Sequence, residues 1–299
     1  MRKALRYSAL VLAAVATLGV TGHDHELCEG FVPENDMRIP VGYQHKMSIP
    51  GEVRGGLTEE QFHAVIDRFE AVYREEFKKL GGNLVINRRW TDSTVNASAN
   101  RMGSNWYINM YGGLARHPAI TADGFMIVIC HEAGHHIGGA PKNGGWFGSW
   151  ATNEGGSDYF ATLKCMRRIF IEDDNEAILA DAKIDPLVQE RCESQFGDRV
   201  DQLICMRSSL AAMSVAMLFM DLNKDSKAPA FNTPDPKVVE KTSNSHPATQ
   251  CRLDTYFAGS VCPVHYTIPQ DDRDPLQGSC NEPVDAIGIR PRCWYKPSI

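Results

Sequence analysis

The chain has 299 residues, 43% of them hydrophobic and 23% charged, with a net charge of −6. That is globular composition, enough for one large domain or for two lobes around a cleft. The acidic balance offers no basic face, which argues against nucleic acid or an anionic membrane as a partner.

Arg2, Lys3 and Arg6 precede an apolar run from Ala9 to Val20, followed by the small residues Thr21 and Gly22. A positive region before a short apolar run reads as a secretory signal peptide, residues 1–22. The run is short for a transmembrane helix, so the chain after signal cleavage is expected to carry no stable membrane span. The expected location is exported, periplasmic or secreted. The nine cysteines fit that compartment and suggest disulfides. They are Cys28, Cys130, Cys165, Cys192, Cys205, Cys251, Cys262, Cys280 and Cys293. Cys130 lies inside an apolar helical stretch and is the expected free thiol. Sequence proximity favours Cys251–Cys262 and Cys280–Cys293 as pairs. No C-x-x-C spacing suggests a cysteine metal site. His23 to Gly56 is irregular, and His23 and His25 read as solvated.

Leu57 to Leu80 reads as a helix, with Thr58 and Gln61 forming a capping box and apolar residues recurring from Phe62 to Phe77. Gly81-Gly82 end it. Asn83 to Trp90 reads as a strand. In Asn96 to Leu114, Trp106, Ile108 and Met110 alternate with Tyr107, Asn109 and Tyr111, which predicts one half-buried strand.

Gly124 to Pro141 carries His131, Glu132 and His135 in an H-E-x-x-H pattern. On a helix, residues four apart share a face, so both imidazoles can grip one metal ion with Glu132 beside them as a base. The preceding apolar run, Phe125 to Ile129, buries such a helix, and Gly138, Gly139 and Pro141 stop it. A catalytic zinc takes three protein ligands and leaves a position for water. The continuation H-E-x-x-H-x-x-G-x-x-H fails, because Gly138 matches but Pro141 stands where the last histidine is required. The stretch Asn153 to Asp158 offers Glu154 and Asp158 on one helical face. One carboxylate could bind the metal while the other accepts a hydrogen bond from a ligand imidazole.

Lys142 to Ala151 is a Gly- and Trp-rich loop between these two stretches. Glu172 to Asp185 is acidic and expected in solvent. Pro186 to Phe196 is a helix, and Asp198 caps another over Val200 to Leu222, read as buried and too short in its apolar part to span a bilayer. Asp221 to Asp225 begins like a calcium loop, but Ser226 replaces its glycine and Asn232 its last glutamate, leaving a helix-end turn. Ala248 to Gly259 is a helix with Pro247 at its first position. His246 could cap it, and Asp254 and Tyr256 are weaker candidates for chemistry. Pro263 to Ile299 is a Cys- and Pro-rich tail wrapping the surface.

The N-E-x-x-S-D stretch at Asn153 to Asp158 resembles that of thermolysin-like gluzincins. An Asn-Ala segment, a glycine, a short strand ending in Gly-Gly-Leu and then the H-E-x-x-H helix resemble the HtpX and CAAX-prenyl-protease family of gluzincin peptidases. Ser245-His246-Pro247 with Arg252 and Leu253 is similar to that family's His-Pro…Arg-Ile segment. The resemblance covers about Asn96 to Asp158 and Ser245 to Leu253. It implies an α+β, zincin-like domain over residues 23–262, a small sheet and a helical lobe with the active-site cleft between, and a tail over 263–299 packed on it. It implies Zn²⁺ held by His131, His135 and Glu154, with Asp158 orienting a ligand histidine. Glu132, His246 and Arg252 would be catalytic, the last two steadying an oxyanion. Tyr107, Asn109 and Tyr111 would bind substrate on an edge strand. The implied activity is zinc-dependent endopeptidase action on exported or envelope proteins. A catalytically inactive zinc-binding scaffold or an envelope assembly factor is the alternative.

Overall fold

The computed structural model describes residues 30–43, 56–144, 149–282 and 284–297. The signal segment, His23, His25 and Cys28 lie outside the described residues. The fold is mixed α/β, with a small three-stranded sheet and a larger set of helices.

Helix α1, Glu59–Lys79, begins at Thr58, whose side chain and Gln61 cap each other reciprocally. Phe62, Ile66, Phe69, Tyr73 and Phe77 recur every three or four residues, so one stripe is buried. Next come β1 (Asn83–Arg89), β2 (Ala97–Met102) and β3 (Asn105–Tyr111). The single strand expected over Asn96 to Leu114 is thus two antiparallel strands with a tight turn at Gly103, whose φ is +59°. A left-handed backbone there suits glycine. The chain then coils into a single helical turn, α2 (Gly112–Ala115).

The sheet order is β1-β3-β2, with β3 parallel to β1 and antiparallel to β2. Strand β3 is therefore central and has no free edge, against the expectation of an edge strand there. The outer positions fall to β1 and β2. On β3 the residues Trp106, Ile108 and Met110 are buried. Tyr107, Asn109 and Tyr111 point to the opposite face, because side chains alternate along a strand. There they line a shallow groove with Asn87, Arg89, Ser98 and Asn100.

Beneath the sheet lies α3 (Ala122–Ile137), capped by Thr121 and buried almost throughout. Helix α4 (Glu154–Phe160) is capped by Asn153 and runs through a wider π turn, Ala161–Cys165, into α5 (Met166–Phe170). The acidic stretch after it holds a further short helix, α6 (Asn175–Leu179), with Asn175 buried. Arg207 joins Asp123 and Asp173 there by ion pairs of 2.7 and 2.6 Å, so this region is tied to the fold rather than merely solvated. Helices α7 (Pro186–Gln195) and α8 (Arg199–Asn223) follow, the latter capped by Asp198 and ended by Lys224 in the left-handed conformation.

Helix α8 is long and apolar enough to cross a membrane, against the expectation that it is too short. Its most apolar window is 78% buried within the fold, as in the central helix of a packed domain. Helix α9 (Thr249–Val261) starts after Ala248, so Pro247 lies just outside it and not at its first position.

Four disulfides tie these elements together: Cys130–Cys165, Cys192–Cys205, Cys251–Cys293 and Cys262–Cys280. Three expectations fail here, and the first to go is the pair Cys280–Cys293, since each of those tail cysteines is bonded to α9 or its end. Cys130 is not free; it is bonded across the interface between α3 and the π turn. Cys251 and Cys262 do not pair, because α9 holds them at its opposite ends. A rise of about 1.5 Å per residue puts them roughly 16 Å apart, far beyond the ~4.4–6.8 Å a disulfide tolerates. Each instead reaches the tail, and those two bonds hold the tail on the domain. Four disulfides suit an oxidising environment.

Candidate metal centre

Helices α3 and α4 meet closely. A Cβ at Gly134 would stand 2.9 Å from the Cα of Ser157, so glycine is needed for this approach. The contact sets His131 and His135 opposite Glu154, and ligand atoms of all three lie within 4.8 Å of one another. All three are buried: His131 and His135 are fully inaccessible and Glu154 is 2% exposed.

The protonation of each imidazole follows from its outer partner. His135 Nδ1 is 2.8 Å from the carbonyl oxygen of Thr152, which can only accept, so Nδ1 carries the proton. His131 Nδ1 is 2.7 Å from Oδ1 of Asp158, a carboxylate acceptor, with the same result. Each ring therefore turns its Nε2 inward, the nitrogen a cation would take. His131 Nε2 is 3.3 Å and His135 Nε2 3.5 Å from the oxygens of Glu154. Among the described residues neither Nε2, nor Oε2 of Glu154, nor either carboxylate oxygen of Glu132 has a hydrogen-bond partner, although all are buried. Buried polar atoms are normally satisfied. A cation accepted by three of them and a water held by Glu132 would satisfy the set, so the residues fit a metal ion.

Burial alone would lower the His131 imidazole, but Asp158 and then Glu154 overcome it and raise its pKa to about 9. His135 lacks a carboxylate on its outer nitrogen, and burial lowers it to about 4. Burial, helped by Glu154 and Asp158, pushes Glu132 up to about 8. Burial would also raise Glu154, yet His135, His131 and His246 hold it below the usual carboxylate range. One carboxylate is thus held ionised while its buried neighbour is pushed toward neutral pH.

The outer shell is built on Asp158. Burial opposes its charge, but Arg252 and then His131 hold its carboxyl far below the usual range. Arg252 Nε donates to Oδ2 at 2.8 Å and Nη2 to Oδ1 at 2.7 Å, while Tyr256 donates to Oδ1 from the next turn of α9. This corrects one expectation. Arg252 is 2% exposed with its fork on Asp158, so it orients the acid that orients His131, and that placement, not one free at an oxyanion, is its site role. Asp254 is further out, accepting from Asp235 and Gln250. His246, in the chain just before α9, puts Nε2 3.2 Å from Oε2 of Glu154 and 2.7 Å from the carbonyl oxygen of Gly30. It therefore faces the centre directly.

Tyr107, Asn109 and Tyr111 do not join the site, since they face away from α3. Only the backbone of Tyr107 reaches toward it, its carbonyl oxygen lying 3.1 Å from Nε2 of His136. His136 stacks between Trp106 and Trp150, which pins the start of the loop between the metal helices. Sequence reasoning missed Tyr256 as the third partner of Asp158, and missed Asn153, whose amide holds Ser243 near His246 at 2.9 Å. A Tyr four residues after Arg252 was the available signal, since that spacing shares a helical face. A second grouping of Asp235, Cys251 and Cys293 is no metal site, because both sulfurs are in a disulfide.

Comparison with known proteins finds no matching family model, no matching curated protein and no matching solved structure.

Proposed function

We propose that the chain is a zinc-dependent endopeptidase of the gluzincin kind, acting on exported or envelope proteins. The observation that carries this is the set of orphaned atoms: two imidazole nitrogens and a carboxylate oxygen converge, and both oxygens of a further buried carboxylate, Glu132, are left without partners beside them. His131, His135 and Glu154 would hold the ion; two nitrogens and one oxygen suit zinc. Zinc bound there supplies Lewis acidity to a water and to a substrate carbonyl.

The chain's own residues supply the rest. Glu132 takes the water's proton and delivers it to the departing amine. His246, with Nε2 turned to the centre, donates to the carbonyl oxygen as charge develops on it. Asp158, Arg252 and Tyr256 keep His131 in the tautomer that leaves Nε2 bare. The zincin-like fold and the kinship with HtpX-type peptidases belong to this reading, supported by the N-E-x-x-S-D and H-E-x-x-H pair. The exported location is supported by the disulfides and by the basic and apolar stretch at the N-terminus.

A purely structural zinc centre is favoured by one observation, the complete burial of Glu132. The two readings separate cleanly. The mature chain is expected to carry about one zinc per molecule, from the three-ligand set His131, His135 and Glu154. It is also expected to cut denatured casein in a chelator-sensitive manner, read by mass spectrometry. Zinc without any turnover leaves the scaffold reading, and no zinc after gentle purification removes both.

A further inference from the structure

The metal centre is closed by the chain itself. Phe31 is fully buried with its ring 5.0 Å from that of His131, edge to face, and 5.3 Å from Phe219. Were this only an apolar anchor, the side chain would carry the contact and the backbone would be incidental. Here the backbone is bound group by group. The Phe31 N–H donates to the Ala97 carbonyl oxygen at 2.9 Å. The Val32 N–H donates to Oδ1 of Asn96 at 3.1 Å, and the Asn96 amide returns a bond to the Val32 oxygen at 3.1 Å. Arg252 Nη1 donates to the Phe31 oxygen at 2.7 Å. His246 Nε2 lies 2.7 Å from the Gly30 oxygen, and the same nitrogen touches Glu154.

Ala97 begins β2, one of the two outer strands of the sheet, and Asn96 lies just before it. The segment bends against this edge with one main-chain bond, and its other backbone groups are taken by the side chains of Asn96, Arg252 and His246, so peptide backbone is what the pocket holds. Gly30 fits this geometry because a Cβ there would stand 2.6 Å from the Asn96 side chain and 2.8 Å from the Ala97 oxygen.

We infer that residues 30–32 occupy the cleft as a peptide bound in cis, and that the Gly30–Phe31 bond is the chain's own first substrate. This rests on the peptidase reading above. Water adds to the Gly30 carbonyl carbon, and the C–N bond to Phe31 breaks. Glu132 takes the water's proton and passes it to the Phe31 nitrogen. The products are a peptide ending in a Gly30 carboxylate and a chain beginning with the Phe31 amine. Until that step the Gly30 oxygen holds His246 Nε2, and the cut releases it.

The test uses the full chain purified in chelator and then given zinc, followed by intact mass and N-terminal sequencing, with denatured casein assayed in parallel. The expected result is a new N-terminus at Phe31, formed at a rate independent of protein concentration and absent in Glu132→Gln. Should that variant fail to fold, the wild-type chain kept in chelator is the uncleaved control. Hydrogen exchange gives a reading that needs no turnover: in the zinc-free chain the Phe31 amide is expected to be protected. Casein cleavage with an intact Gly30–Phe31 bond overturns this inference and leaves the peptidase reading standing. A cut whose rate rises with concentration, or a rapidly exchanging Phe31 amide, overturns the cis arrangement. No cleavage of either substrate overturns both.

Discussion

Glu154 and Asp158 are separated by one turn of α4 and face different partners. Glu154 offers its oxygens to the inner nitrogens of both histidines, while Asp158 takes the outer N–H of His131 and the fork of Arg252. Their removal should therefore differ in kind. Glu154→Ala is expected to nearly abolish zinc binding, whereas Asp158→Ala should weaken affinity or activity by about 10–100-fold. Zinc titration of both variants reads this, and tight zinc in Glu154→Ala alone would reverse the assignment. Neither carboxylate oxygen of Glu132 has a hydrogen-bond partner among the described residues. Glu132→Gln keeps the shape and removes the base, so it should retain zinc while losing casein cleavage. Loss of metal in that variant would make Glu132 a ligand instead of a base.

At the scale of elements, the site is the contact between α3 and α4. Neither helix holds a metal site alone, and their separation is set by Gly134 against the backbone of Ser157. A methyl group there meets main chain, which cannot rotate away. Gly134→Ala is expected to push α4 outward and weaken zinc binding at least as much as Asp158→Ala, although alanine favours the helix itself. Unchanged zinc affinity in a folded Gly134→Ala chain would show that the helices are not held at their limit. The Cys130–Cys165 bond crosses the same interface one residue before His131, so it holds together the two helices that carry the ligands.

For the whole molecule, the tail and the N-terminal segment are parts of the centre's support. Trp294 is fully buried with its indole against Gly155 in the first turn of α4, and its Nε1 donates to Thr255 at 2.9 Å. The Cys251–Cys293 bond fixes it there. Non-reducing peptide mapping should find Cys130–Cys165, Cys192–Cys205, Cys251–Cys293 and Cys262–Cys280. A mapped Cys251–Cys262 peptide would require α9 to be unwound. Removing the 251–293 bond by a double serine substitution should lower stability by about 2–5 kcal/mol, measured by denaturant unfolding.

What the sequence by itself determined was local. The capping box at Thr58 and the i, i+4 spacing of the two histidines depend on neighbours a turn away, so α1 and α3 could be read directly. The grouping of His131 and His135 with a carboxylate of the next helix came instead from the three ligands a catalytic zinc takes and from the gluzincin resemblance. What only the tertiary structure decided was everything set by packing between distant segments. Strand alternation gave β3 two faces but could not say which strands flank it, so an interior strand passed for an edge. Spacing in the chain made Cys251 and Cys262 neighbours, while the rigid rise of α9 separated them. Arg252 could be recognised as a residue near the site, yet its target, Asp158, lies 94 positions away. An irregular stretch without periodicity gave no sign that Gly30 to Val32 would cross the centre. Its place is fixed by hydrogen bonds to Asn96, Ala97, His246 and Arg252, which the chain brings together only when folded.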